Sequence, residues 1–180
     1  MSAPGEVADA TVIDRAPFDF ETVFYANYER IARAIVRVVG DPATAEELAA
    51  EAFWRLSRTP AAQGADCGGW LYRTAIRLAL DELRRRARHA RHARWLSMFS
   101  RVPPTPHDVL AGLEEQTRVR AVLAALPHRD AELLLLYSDE APYREIAVKL
   151  ALNSASVGTL LRRARMTFEN EYKRRYGQER

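Results

Sequence analysis

The sequence predicts an all-α protein: two small helical domains joined by a proline-containing linker, the second with a helix-turn-helix. Three observations predict it. Apolar residues recur at steps of three and four along the 180-residue chain, and no stretch shows the alternation of a half-buried strand. Pro103, Pro104, Pro106 and Gly112 break the helical pattern past its middle. Residues 143–165 carry two helical stripes separated by a turn short enough to fix a steep crossing. An apolar fraction of 48% and a charged fraction of 28% fit a folded chain. Domains this small bury modest cores, so a partner surface would add to their stability.

Residues 1–16 are small, polar and acidic, and are expected to form a mobile tail. They hold no basic stretch followed by an apolar run, so no signal peptide is read there. No apolar stretch approaches the roughly 20 residues that span a bilayer. The expected location is the cytoplasm, with no membrane partner. The first domain is placed at residues 17–94. It opens with a helix whose apolar positions include Phe20, Val23, Phe24, Ile31, Ile35 and Val38, stopped by Gly40. Asp41 as N-cap and Pro42 at the first helical position start the next helix. Ala45, Leu48, Ala49, Ala52, Phe53 and Leu56 form its apolar stripe, and Glu46, Glu47 and Glu51 lie on another face. Residues 59–69, with Pro60, Gly64, Gly68 and Gly69, are expected to be a loop. A long third helix follows. Leu71, Ala75, Leu78, Ala79 and Leu83 fall on one side of it, with Arg73, Arg77, Arg84, Arg88 and Arg91 opposite.

The linker is placed at residues 95–112. Trp95, Leu96, Met98 and Phe99 precede its prolines and are read as a cap on the first domain in preference to linker contacts. The second domain is placed at residues 113–176. Val119, Val122, Leu123 and Leu126 form a stripe ended by Pro127, and residues 131–137 make an apolar helix that must be mostly buried. Pro142 starts a short helix carrying Ile146, Ala147 and Leu150. After the turn at 151–153, capped by Asn153 or Ser154, comes a last helix carrying Val157, Leu160, Leu161, Ala164 and Phe168.

The formal net charge is only +3, but its distribution is uneven. Eight arginines stand between Arg73 and Arg94, against two acids, Asp81 and Glu82. Guanidinium forks match phosphate oxygens, so this ridge is a candidate nucleic-acid surface. A solvated or membrane-surface face is the other reading, weakened by the shortage of local acids. Tyr72 is open between core packing and stacking on unpaired bases, while Trp70 is assigned to core. In the helix-turn-helix, wheel position points Asn153, Ser154, Ala155, Gly158, Thr159 and Arg162 at a major groove. Arg162, Arg163 and Arg165 are placed to meet phosphates. Glu47 and Glu51 lie one turn apart, and Glu51 is spaced to pair with Arg55.

These residues carry a family resemblance. The run 41–56, DPATAEELAAEAFWRL, resembles region 2.2 of bacterial RNA polymerase sigma factors. The run 70–86, WLYRTAIRLALDELRRR, resembles regions 2.3 to 2.4, and the helix-turn-helix resembles region 4.2. Leu126-Pro127 is similar to the family's lead-in to that region. Order, spacing and proline linker resemble the two-domain extracytoplasmic-function (ECF) group of the sigma-70 family, over about residues 18–172. The resemblance implies a non-enzymatic promoter-recognition subunit. Glu47, Leu48, Glu51 and Phe53 would bind the β′ clamp helices of core polymerase. Tyr72, Arg73, Arg77, Arg84, Arg85 and Arg88 would hold the −10 element, with the loop 59–69 as pocket for a flipped base. Asn153, Ser154, Ala155, Gly158, Thr159, Arg162 and Arg163 would meet the −35 element. Implied partners are core polymerase (β′ clamp helices and β flap), promoter DNA and, as is common in the family, an anti-sigma factor. Glu47 and Ala50 stand where the family usually has Asp and Gln, and Ile76-Arg77 where it often has Arg-Asn.

The competing reading is a stand-alone helix-turn-helix regulator. Such proteins usually bind palindromes as dimers, and no heptad or dimer face is evident. No catalytic residue, metal site or cofactor is expected. His89 and His92 are better read as interruptions of a basic face, since no nearby acid completes a site with them. Cys67 is read as a small loop residue in preference to a redox sensor.

Overall fold

A computed structural model describes residues 18–97 and 111–177. The tail 1–16, Met98, Phe99, the linker prolines and His107 lie outside the described residues. So do the side chains of residues 91–97 and 111–113, among them Arg91, His92, Trp95 and Leu96. The described residues form seven α-helices and no strand: α1 (Phe20–Val39), α2 (Pro42–Ser57), α3 (Cys67–Ser97), α4 (Ala111–Leu123), α5 (His128–Ser138), α6 (Tyr143–Leu150) and α7 (Ser154–Tyr176). No described helix is long and apolar enough to cross a membrane.

Local chemistry sets the boundaries. Asp19 and Asp41 accept the amide hydrogens of Thr22 and Thr44 and cap α1 and α2. Hydrogen bonds from the Thr22 and Thr44 hydroxyls, and then from these amides, hold both carboxyls below the ordinary aspartate range. Gly40 ends α1 in the left-handed region, φ 75°, and donates to the Val36 carbonyl. The expected loop 59–69 is more ordered than its glycines imply. It contains a 3-10 turn, Pro60–Ala62, and α3 begins at Cys67. Gln63 stabilises this turn by donating to the carbonyls of Leu56 (2.9 Å) and Ser57 (3.0 Å). Ala151 closes α6 at φ 50°, and Leu152 donates back to the Ala147 carbonyl. Asn153 then caps α7 through the Ala155 amide at 3.0 Å.

Helices α1 to α3 pack around Ile31, Ile35, Leu56, Leu71 and Ala75. An aromatic cluster of Phe20, Phe24, Tyr28 and Phe53 closes one end, with the Phe24 and Phe53 rings 4.9 Å apart. Helices α5 to α7 enclose Leu133, Leu136, Ile146, Val157 and Leu161, and α4 lies against α7. The 131–137 segment is mostly buried as expected, with Leu134 half-buried and its last residue, Tyr137, exposed.

The two units do not stand apart. Helix α3 also contacts α4, α5 and α6, and the buried apolar residues of both halves form one continuous cluster. This explains a departure from the expected pattern on α3. Leu78 is only half-buried, whereas Tyr72, Ile76 and Leu80 are buried beside the expected Leu71, Ala75, Ala79 and Leu83. The buried arc therefore covers about half the helix circumference, which one contact face does not require. Trp70 is half-buried against the core.

Candidate polymerase and nucleic-acid interfaces

The acidic face of α2 is open. Glu46 and Glu47 are exposed, and Leu48 is half-buried at the edge of the core. Glu51 accepts from Arg55 at 2.7 Å, the one-turn pair its spacing predicted. Phe53 differs from its expected outward role. It is 2% exposed and sits among the aromatic rings of α1, because it belongs to the same stripe as Ala49 and Leu56. Its contribution to this face is to hold α2 in place from beneath. The residue that does stand outside is Trp54, 55% exposed, with the Arg58 guanidinium 5.1 Å from its ring centroid. Trp54 follows Glu47 and Glu51 by seven and three positions, so all three share one side of the helix. That spacing was readable in the sequence, but a lone aromatic on an amphipathic helix is usually core.

The arginine side of α3 is engaged. Arg77 donates to Glu132 of α5 at 2.9 Å, and Glu132 is a carboxylate only 2% exposed. Arg84 donates to the carbonyls of Ala124 (2.9 Å) and Leu126 (2.8 Å). It also meets Asp81 at 3.2 Å and the His128 ring at 2.5 Å. Arg73 binds Asp66 at 2.9 Å and the Lys149 carbonyl at the end of α6. The carbonyls of Lys149 and Ala124 belong to helix ends that lack intrahelical donors, so guanidinium groups are suited to them by hydrogen bonding and by the helix dipole. Further out, Arg85 and Arg86 share Glu82, at 2.7 to 2.9 Å. Hydrogen bonding from Arg85, and then from Arg86, pulls the Glu82 carboxyl below its ordinary range. Arg88 is exposed.

Tyr72 is buried, 2% exposed, against the second unit, with the Lys149 ammonium 5.3 Å from its ring centroid. Its hydroxyl has no hydrogen-bond partner among the described residues. Burial pushes its pKa above the ordinary phenol value. An unsatisfied buried hydroxyl costs about 1–3 kcal/mol. In this arrangement Tyr72 is core, and stacking on a base would require the two units to part.

The start of α7 is bare. Ser154, Ala155, Thr159, Arg162 and Arg163 are exposed, and so is Asn153 beside its cap bond. Gly158 is half-buried because Tyr143 leans over it: a Cβ there would lie 3.5 Å from the tyrosine ring. Tyr143 is itself 48% exposed beside the proposed groove face, a position the sequence did not single out. Arg165 turns away to sit 4.3 Å over the Tyr137 ring, so it is not aligned with Arg162 and Arg163. Among the described residues, no group of three or more His, Cys, Asp or Glu side chains is placed to hold a metal ion.

An acidic helix, an arginine helix and a C-terminal helix-turn-helix on one all-helical chain define the class. Models of Sigma-70 region 2 and Sigma-70 region 4 match residues 23–89 and 116–168. An ECF RNA polymerase sigma factor, SigK of Mycolicibacterium vanbaalenii, is 31% identical over 141 residues, covering 74% of this chain and 71% of that protein. The probable RNA polymerase sigma factor RfaY of Xanthomonas campestris is 33% identical over 153 residues, 81% of this chain but 38% of its own length. Among solved structures, the sigma factor RpoE of Bartonella quintana, crystallised with the anti-sigma factor NepR, aligns with TM-score 0.48 and 15% identity over 90% of this chain and 99% of that one. The chain belongs to the ECF RNA polymerase sigma factors. It spans between 38% and 71% of the length of these two curated relatives.

Proposed function

We propose that this chain directs core RNA polymerase to promoters and helps to open them. One observation carries the proposal: regions 2 and 4 follow in order on one chain, each with a chemically suitable surface. The mechanism is positional. The exposed Glu47, Glu51 and Trp54 face of α2, with Leu48 at its edge, docks on the β′ clamp helices, and Phe53 fixes the angle of that face. The guanidinium groups of α3 attract the DNA backbone by releasing counterions, which is independent of sequence. Arg88 is available for this now, and Arg85 is exposed but paired with Glu82; Tyr72, Arg73, Arg77 and Arg84 join when the second unit moves away. Asn153, Ser154, Ala155, Thr159, Arg162 and Arg163 at the start of α7 meet the −35 duplex, with few long side chains for bidentate base contacts. Gly158 lets Tyr143 stand beside them. The domains act as units at residues 17–94 and 113–176, joined by 95–112. The chain works in the cytoplasm and does no bond chemistry of its own. Transcription in vitro is the test: purified core polymerase with this chain initiates at specific genomic sites, and core alone does not. Equal initiation with and without it would end this reading.

A further inference from the structure

One side of α4 borders a cavity. Gln116, Val119, Arg120 and Leu123 follow the steps of three and four that put residues on one face of a helix. All four line a cavity of about 560 Å³. Small-molecule sites measure roughly 300–1,000 Å³ and pair apolar walls with a few polar groups. Leu134 and Leu135 of α5 and Phe168 of α7 complete the apolar wall here. Leu134 and Phe168 are only half-buried, where a sealed core would cover them. We propose that this cavity binds a small monocarboxylate, with one carboxylate head on an apolar body. None of its lining residues belongs to the faces assigned above to polymerase or nucleic acid. The site therefore goes beyond that reading and does not rest on it.

The charges at the rim select the head group. Arg37 and Arg120 are the cations there, and Glu115 is the anion. Arg37 is neutralised by Asp139, and it donates to the Ser138 hydroxyl at 3.3 Å. The Glu115 carboxylate accepts the Tyr172 hydroxyl at 3.0 Å. Arg120 is different. It is half-buried, and its guanidinium has no hydrogen-bond or ion-pair partner among the described residues. It lies against the end of α1: a Cβ on Gly40 would stand 2.6 Å from the Arg120 Cζ, and the glycine leaves that space. Unused donors on a half-buried cation cost free energy, which an incoming oxygen acceptor offsets. The Gln116 carboxamide stands one turn away and is likewise without a partner among the described residues. The two side chains together suit the two oxygens of a carboxylate. Glu115 at the same rim repels a second negative charge, which limits the ligand to one.

Isothermal titration of the full chain tests the site. Octanoate and naphthoate probe a chain and a ring, each beside the alcohol and the amine of the same carbon skeleton, all below self-association. At least one acid binds at a single site per chain, and the tighter acid names the body of the ligand. Its alcohol and its amine bind about tenfold more weakly or worse, since they lack the charge-assisted bonds. Arg120→Gln weakens the acid about tenfold and leaves the alcohol nearly unchanged. Arg120→Glu reverses the order, so that the amine binds more tightly than the acid, which a merely misfolded variant would not do. Leu134→Trp fills the cavity and removes binding of acid and alcohol alike, while helical content and the thermal midpoint stay near those of the parent. Three results each overturn the site: no saturable binding by either acid, equal affinity for acid and amine in the parent, or an unaltered preference for the acid in Arg120→Glu.

Discussion

The arginine side of α3 and the first turns of α7 are both candidate nucleic-acid surfaces, yet one is engaged and the other is bare. On α3, Arg73, Arg77 and Arg84 each hold an oxygen of the second unit. On α7, Arg162, Arg163 and Thr159 face outward. Density of positive charge therefore does not by itself mark the available surface. The denser ridge attracts the chain's own carbonyls and carboxylates as readily as it would attract phosphate. Among the described residues, the sparser one has nothing comparable opposite it. The acidic side of α2 resembles α7 in this respect, and is where the largest effect is expected. Glu47→Lys combined with Glu51→Lys should abolish co-purification with core RNA polymerase. Helical content should be unchanged, because Glu47 is exposed and the Glu51–Arg55 pair is a surface one of small value. Undiminished polymerase binding by that variant would take α2 out of the interface.

The next largest effect contrasts two neighbours on α2. Phe53→Ala removes a buried ring from the aromatic cluster and should lower stability by about 3–5 kcal/mol in urea or thermal unfolding. Trp54→Ala should change stability by less than about 0.5 kcal/mol and instead weaken polymerase binding. If Trp54→Ala destabilised as much as Phe53→Ala, the inward and outward assignments would be reversed.

Much of this was legible in the residues. Asp41-Pro42, Gly40 and Asn153 fix helix ends by bonds spanning two to four positions, and all three act as their types predict. The stripes on α1, α2 and α7 read correctly because one face of each packs locally. Phe53 was legible too: its place in the stripe predicted burial, and the outward role came only from the resemblance. What the sequence concealed lies on α3. Counting local acids offered Asp81 and Glu82 alone, and Asp81 does meet Arg84, as Asp66 meets Arg73. The partners that tie Arg73, Arg77 and Arg84 to the second unit are Glu132 and the carbonyls of residues 124, 126 and 149, which are 40 to 76 positions away. Backbone carbonyls also have no signature in a charge count. Tyr72 could not be decided for the same reason, since the group that buries it comes from the other unit.

A smaller effect sharpens the contrast between the two basic surfaces. On duplex DNA, replacing both Arg162 and Arg163 with Ala should flatten the salt dependence of binding by about two units in log–log slope, if each holds a phosphate. Arg84→Ala in the closed chain should leave the slope nearly unchanged, because its donors are already spent on Ala124 and Leu126. Arg88→Ala should lower it by about one. A full unit lost with Arg84→Ala would mean that the ridge is free in solution.

The smallest expected effect concerns the far end of α7, where the same rule of local pairing governs stability. Glu171 accepts from Arg174 and Arg175, each at 2.6 Å at the closest, and these bonds pull its pKa from 4.5 to about 2. A folded pKa below the unfolded one means that the unfolded chain takes up the proton first. The stabilisation is therefore complete above about 4.5 and is lost as pH falls toward about 2. Arg174 is largely exposed, so solvent screening keeps the contribution below about 1 kcal/mol. Urea midpoints of the parent and Glu171→Gln, followed through that window, should differ at neutral pH and converge at the acid end, with the gap shrinking in high salt. A gap that widened on acidification would have the wrong sign for an arginine-held carboxylate and would remove this cluster as the clasp at the end of the helix.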